Sequence, residues 1–307
     1  MKRITAALAG IALSLSLTAC GADSDPLADE PAASGAAGGA VTVGSANFPE
    51  SQLLAEIYSQ ALEGKGVTVT RKFNIGAREV YLKALQDGSI SLLPEYNGAL
   101  LAALSPNGVP ESATSPDAVL AELKKVLPTG TEVLTQSAAE DKDTLTVTAE
   151  TATKNNLKTI EDLKTIAPTL VVGAGPEFAE RHQGIKGLEE VYGLKFKEFK
   201  ALDAGGPLTI NALKDGDIQV ANIYSTDSSI VTNKFVVLED PKNLYSSQNV
   251  IPLIRTEANN ATVTGALDAV SAKLTTENLT AYLAQVQVDK KDIAVVATAF
   301  LSENGLK

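Results

Sequence analysis

Two stretches of this 307-residue chain are near copies of each other: Ala84-Leu85-Gln86-Asp87-Gly88-Ser89-Ile90 and Ala212-Leu213-Lys214-Asp215-Gly216-Asp217-Ile218 agree at five of seven places. The next aromatic keeps the spacing, because Tyr224 follows Tyr96 by the same 128 positions. A repeat of domain length demands two units of one plan. Around the first copy the sequence predicts strand Val41–Val43, helix Glu50–Glu63, strand Val67–Phe73, helix Glu79–Gln86 and strand Ile90–Leu93. Around the second it predicts strand Thr169–Val172, helix Glu177–Val191, strand Phe196–Phe199, helix Leu208–Lys214 and strand Ile218–Ala221. The helices rest on apolar spacing such as Leu53, Leu54, Ile57, Ala61 and Leu62, the strands on short β-branched runs between Gly or Asp. Such alternation gives an α/β fold with mostly parallel sheets. Gly88 and Gly216 need no function, since glycine ends helices where φ turns positive.

Composition narrows what two such units can do. One Cys excludes an internal disulfide, and together with a single His, His182, it leaves no Cys/His metal site and one candidate for a catalytic triad. A net charge of −11 disfavours nucleic acid. Neither a dinucleotide fingerprint nor a P-loop occurs, because the Gly205-Gly206-Pro207 turn lacks the spacing. Ser45, Ser225 and Thr226 have no recognisable base. The chain is expected not to be an enzyme and to need no metal or cofactor.

The amino terminus accounts for the cysteine. Met1-Lys2-Arg3 precedes an apolar run, Ile4 to Leu17, that is too short for a permanent membrane span. Residues 1–19 read as a secretory signal, and Leu17-Thr18-Ala19-Cys20 resembles the bacterial lipobox, in which Cys20 carries the lipid. Residues 20–40, rich in Ala, Gly, Ser and Pro, read as a disordered tether. The expectation is an extracytoplasmic protein, lipid-anchored to the outer face of the cell membrane.

Tyr96 and Tyr224 each follow a repeated strand, and ligands of open α/β sheets collect at the carboxyl ends of strands. Two ring faces across a cleft suit a cation, above all a quaternary ammonium, which has no N–H to donate. At about 1–2 kcal/mol per desolvated ring, two rings fall short of the roughly 8 kcal/mol of a micromolar complex. Further anchors are required.

Six separated motifs then point to one family: Gly44-Ser45-Ala46-Asn47-Phe48-Pro49-Glu50-Ser51-Gln52, Asn74-Ile75-Gly76-Ala77-Arg78-Glu79-Val80-Tyr81, Leu93-Pro94-Glu95-Tyr96-Asn97-Gly98, Pro176-Glu177-Phe178 with Arg181, Asp203-Ala204-Gly205-Gly206-Pro207-Leu208, and Tyr224-Ser225-Thr226-Asp227. In this order they resemble the substrate-binding proteins of ABC importers for glycine betaine, choline, carnitine and related osmoprotectants. The resemblance implies a type II periplasmic-binding (venus-flytrap) fold, two α/β lobes joined by two hinge crossings. Lobe 1 is expected to comprise 41–144 and 249–307, and lobe 2 to comprise 145–248. It implies a monomer that captures a quaternary ammonium or zwitterionic ligand and delivers it to permease subunits. By the same resemblance Tyr96 and Tyr224 match cage tyrosines, Gln52 and Asn47 belong to the polar side of the pocket, and Arg181 matches an arginine that can hold a ligand carboxylate, as a guanidinium fork suits. The other reading of Arg181 is a surface ion pair with Glu177.

The chain also departs from the family pattern. Asp143-Thr144-Leu145 and Gln248 stand where several relatives have aromatic walls, and Ala99 where some have a polar residue. The pocket is therefore expected to be more amide-rich than a full tyrosine box. A different polar solute, or a sensor built on the same fold, is the alternative. Tail helices at about Thr262–Lys273, Thr276–Gln287 and Lys290–Leu301 read as lobe 1 core.

Overall fold

The computed structural model describes residues 40–106, 108–110 and 112–307. The expected signal sequence, Cys20 and the tether up to residue 39 lie outside the described residues.

The first half runs β1 (Val41–Gly44), α1 (Pro49–Glu63), β2 (Val69–Lys72), α2 (Arg78–Gln86), β3 (Leu92–Tyr96), α3 (Asn97–Leu104), α4 (Pro116–Val126) and β4 (Thr131–Val133). The second runs β5 (Asp143–Val147), α5 (Ala149–Asn155), β6 (Val171–Ala174), α6 (Ile185–Tyr192), β7 (Glu198–Ala201), α7 (Pro207–Lys214), β8 (Val220–Tyr224), α8 (Ser228–Thr232) and β9 (Val236–Val237). The chain closes with β10 (Val250–Arg255), α9 (Ala261–Ser271), α10 (Thr276–Gln287) and α11 (Ile293–Glu303).

Two five-stranded sheets result, ordered β2-β1-β3-β10-β4 and β7-β6-β8-β5-β9. Their plans correspond strand for strand. In each, three parallel strands meet a fourth that runs antiparallel, β10 beside β3 and β5 beside β8. Each antiparallel strand has arrived from the other sheet, so each sheet is completed by a crossing segment. The internal repeat is a repeat of structure as well: β3 and β8 occupy positions 92–96 and 220–224, so Tyr96 and Tyr224 are the last residues of equivalent strands. Both strands run further than the sequence predicts. Pro94 does not end β3, because it sits opposite Pro252 of β10, where neither residue has an N–H to leave unpaired.

Helices cover both faces of the first sheet. Leu53, Leu54, Ile57 and Leu62 of α1 pack with Val263, Leu267, Leu283 and Phe300 of the tail helices, which form part of this lobe's core as expected. Tyr81, Leu85, Leu100, Leu101 and Leu123 fill the other side. The second sheet has its own cores on the two sides, one around Leu145, Leu163, Leu188 and Tyr192, the other around Leu213, Ile218 and Ile223.

The crossings lie against each other. Ser137 N–H donates to Val250 O, Val250 N–H to Ala139 O, and Asp141 N–H to Gln248 O. Asn97 locks this ribbon to the first lobe: its Oδ1 accepts from Asn249 N–H at 2.9 Å and its Nδ2 donates to Gln136 at 2.9 Å. Gly98 follows for a steric reason, since a Cβ there would lie 2.1 Å from Ser247 O. Asp143 and Thr144, expected in lobe 1, begin β5 and pair with Tyr224 and Ile223 of the second sheet.

The helix expected over Glu177–Val191 is broken. A short 3₁₀ turn spans Pro176–Ala179, and α6 starts only at Ile185. Gly184 approaches the Phe178 carbonyl so closely that a Cβ would lie 1.8 Å from it. Arg181 and His182 therefore sit in a bend rather than on a surface helix.

Candidate functional site: the cleft between the lobes

The carboxyl ends of β1, β3 and β8 and the start of β5 converge on one narrow space between the closed lobes. Tyr96, Tyr224, Arg181, Asn47 and Gln248 all line it. Gln52 does not. It lies on α1 next to Ser51, whose Oγ accepts from Ala46 N–H at 2.9 Å, outside the residues that border the space.

The aromatic wall has a member that sequence reasoning missed. Phe48, just after β1, stacks on Tyr96 with ring centroids 6.2 Å apart and meets Tyr224 at 4.9 Å. At 4.9 Å two rings touch, so no cation fits between them. The two tyrosines do not simply face each other; Phe48 bridges them into one wall across both lobes. Its signal was its place after a strand end, within the same motif as Asn47.

Two guanidiniums border the space, each fixed by a carboxylate. Arg78 donates through Nε and Nη2 to Glu95 at 2.8 and 3.0 Å. Glu95 is fully buried and also accepts from Tyr81 Oη at 2.7 Å and Tyr96 N–H at 2.9 Å. Burial opposes the charge of Arg78, but the field of Glu95 outweighs it and holds the guanidinium well above its ordinary range. Arg181 pairs across the cleft with Glu79, Nε to Oε1 and Nη2 to Oε2, both at 3.0 Å. Its ion-pair partner is Glu79 and not Glu177, because the bend at Gly184 turns the side chain toward the first lobe. Burial again acts against both charges and the pair prevails, raising Arg181 and lowering Glu79. Among the described residues neither Nη1 has a protein partner, leaving each guanidinium an N–H edge for an anionic group.

Asp143 lines the same space. Leu145, from the stretch Asp143-Thr144-Leu145, is fully buried in the second lobe's core. Gln248 donates its Nε2 to Asp143 Oδ2 at 3.3 Å.

Beneath the aromatic wall two acids meet. Glu50, 2% exposed, accepts from Tyr96 Oη at 2.7 Å and from Thr226 Oγ1 of the opposite lobe at 2.5 Å. Asp141, also 2% exposed, accepts from Thr226 N–H and Ser225 Oγ. Burial raises the pKa of both, and the negative charge of Glu50 raises Asp141 further. Interlobe bonds at Glu50, Glu79 and Thr226 show that the lobes are closed on each other.

Two like lobes, two crossings, and a closed cleft lined by aromatic and charged side chains make this a type II solute-binding protein. The chain belongs to the family described as the substrate binding domain of ABC-type glycine betaine transport system, which matches residues 39–303. It is a binding protein rather than an enzyme. It is 27% identical over 279 residues to the glycine betaine-binding protein YehZ of Escherichia coli, covering 86% of this chain and 90% of that one. It is 26% identical over 285 residues to the carnitine transport binding protein OpuCC of Listeria monocytogenes, covering 89% and 90%. Among solved structures, a glycine betaine/carnitine/choline ABC transporter structure superposes with a TM-score of 0.66 at 22% identity, covering 87% of this chain and 99% of that one.

Proposed function

We propose that this chain captures a quaternary ammonium osmoprotectant between its lobes and delivers it to an ABC permease, held by lipid at Cys20 on the outer face of the cell membrane. The observation that carries the ligand class is the joint wall of Tyr96, Phe48 and Tyr224, contributed by both lobes and bordered by Arg78 and Arg181. Aromatic faces attract the ammonium, and the guanidiniums suit a carboxylate at the other end of a zwitterion. Relatives named for glycine betaine and for carnitine support the reading. Ligand binding favours the closed form, which is the form a permease would recognise.

Calorimetry of the purified protein against glycine betaine, carnitine, choline and amino acids tests it. Tyr96→Ala and Tyr224→Ala should each weaken binding of the best ligand by about ten-fold, from roughly 1–2 kcal/mol per ring. Unchanged affinity in both variants would remove the cage. Cys20→Ser should move the protein from the membrane fraction to the soluble one.

A second reading, a more polar zwitterion than glycine betaine, is favoured by Asp143 and Gln248, which bring a carboxylate and an amide to the space beside the aromatic wall.

A further inference from the structure

We infer that the cleft selects a ligand carrying a hydrogen-bond donor, a hydroxyl or N–H, beside its ammonium, and that Asp143 accepts that bond. The inference deepens the ligand reading above and rests on it.

The charged groups around the space are unequally matched. Arg78 is committed to Glu95 and Arg181 to Glu79. Asp143 has no ion-pair partner among the described residues, although it lines the same space. It is held by two amides instead: Asn222 Nδ2 donates to Oδ1 at 3.1 Å and Gln248 Nε2 to Oδ2 at 3.3 Å. Those amides are 4% and 2% exposed, so they cannot turn away to water and they fix the carboxylate in place.

An ionised carboxylate offers about four acceptor sites, and the amides occupy one on each oxygen. Water fills the others while the cleft is open. Closure around a ligand expels that water, and an acceptor left without a donor then opposes binding. A quaternary ammonium is drawn to the charge, but its methyl shell donates nothing. A hydroxyl or N–H on the ligand supplies the missing bond, strengthened by the acceptor's charge.

Register fixes where the donor must be. Asp143 and Tyr224 are directly opposed on β5 and β8, and opposed residues share a face. A cation against the Tyr224 ring therefore lies beside Asp143, so the donor must sit close to the ammonium nitrogen.

Calorimetry on the full chain with two matched pairs tests this: carnitine against γ-butyrobetaine, and choline against ethyltrimethylammonium, each differing by one hydroxyl. Wild type should bind the hydroxyl-bearing member of at least one pair on the order of ten-fold or more tightly. Asp143→Ala should bring that pair to within about three-fold, because the acceptor is gone. Asp143→Asn, which keeps the shape and one acceptor oxygen, should still bind the deoxy compound and show an intermediate preference. Equal affinities within both pairs in wild type overturn the inference and leave the quaternary-ammonium reading standing. So does a preference that survives in Asp143→Ala, or loss of all binding in Asp143→Asn, which would make the residue structural. Failure of all four compounds to bind wild type, with glycine betaine bound, overturns this inference alone; failure of glycine betaine as well overturns both readings.

Discussion

Arg181 of the second lobe and Glu79 of the first form a two-pronged ion pair across the mouth of the cleft, with both N–H···O distances at 3.0 Å. The arginine that borders the ligand space is therefore also a fastener between the lobes. Closing the protein and positioning its guanidinium are one event, and any group that disturbs Glu79 acts on both.

Glu79→Gln keeps the shape and removes the charge. The Glu79 side chain is 54% exposed, so solvent screens the pair and its contribution to closure is limited. About 0–1 kcal/mol is expected, or up to roughly five-fold in affinity, appearing mainly as faster ligand release. Stopped-flow release rates at low and high salt check this; a variant that matches wild type at both would show that the pair does not fasten the lobes.

Phe48 is the ring shared by the two lobes, so its loss should be felt by both tyrosines. Phe48→Ala should weaken ligand binding by roughly ten-fold, comparable to removing a tyrosine. Tyr96→Phe keeps the ring while taking one donor from Glu50. It should stay within a few-fold of wild type, and a larger loss than in Phe48→Ala would place the importance of Tyr96 in its hydroxyl rather than its face.

Glu95→Ala should destabilise the fold by about 3–5 kcal/mol, because Arg78 would be left as a buried charge without its partner. Thermal melting reads this directly. Replacing both, Arg78→Met with Glu95→Leu, should recover much of the loss, since a buried pair stabilises little against well-packed apolar groups of similar size. A double variant as unstable as Glu95→Ala would mean that the hydrogen bonds from Tyr81 and the Tyr96 amide carry the effect.

The Glu50–Asp141 pair gives a pH dependence of known sign. Both carboxyls are raised by burial, so the folded protein holds a proton that the unfolded chain releases. Their contribution is fully present below the ordinary carboxylate range and is lost as pH rises through the raised values. Tyr96, Thr226, Ser225 and Asp227 face the pair from both lobes and bring no positive charge to offset it. Glu50→Gln, a neutral stand-in, should therefore gain melting temperature relative to wild type as pH increases. A difference that stays flat from about pH 4 to 8 would show that no proton is held there.

Much of the plan is legible in the order of residues. Alternating strands and helices, the glycines that end helices, and the repeat that sets Tyr96 against Tyr224 depend on neighbours a few positions apart, and local sterics and hydrophobic periodicity settle them. The tail helices were readable for the same reason, since their apolar stripes require a core to cover them. Local pattern misled at Glu177–Val191, where helical spacing continues through Gly184 but the chain must bend to pass the Phe178 carbonyl.

Local order along the chain dictates the two α/β lobes and the strand ends where a ligand gathers. The side chains assembled around that point come from long-range packing. Arg181 found Glu79 from 102 positions away, Thr226 found Glu50 from 176, and Phe48 came between two tyrosines that the repeat had paired. Asp143, which the sequence marked only as a departure, was turned into the cleft by its register with Tyr224. Each of these depends on how two lobes close, and closure is set by packing and charge between segments that carry no trace of each other in linear order.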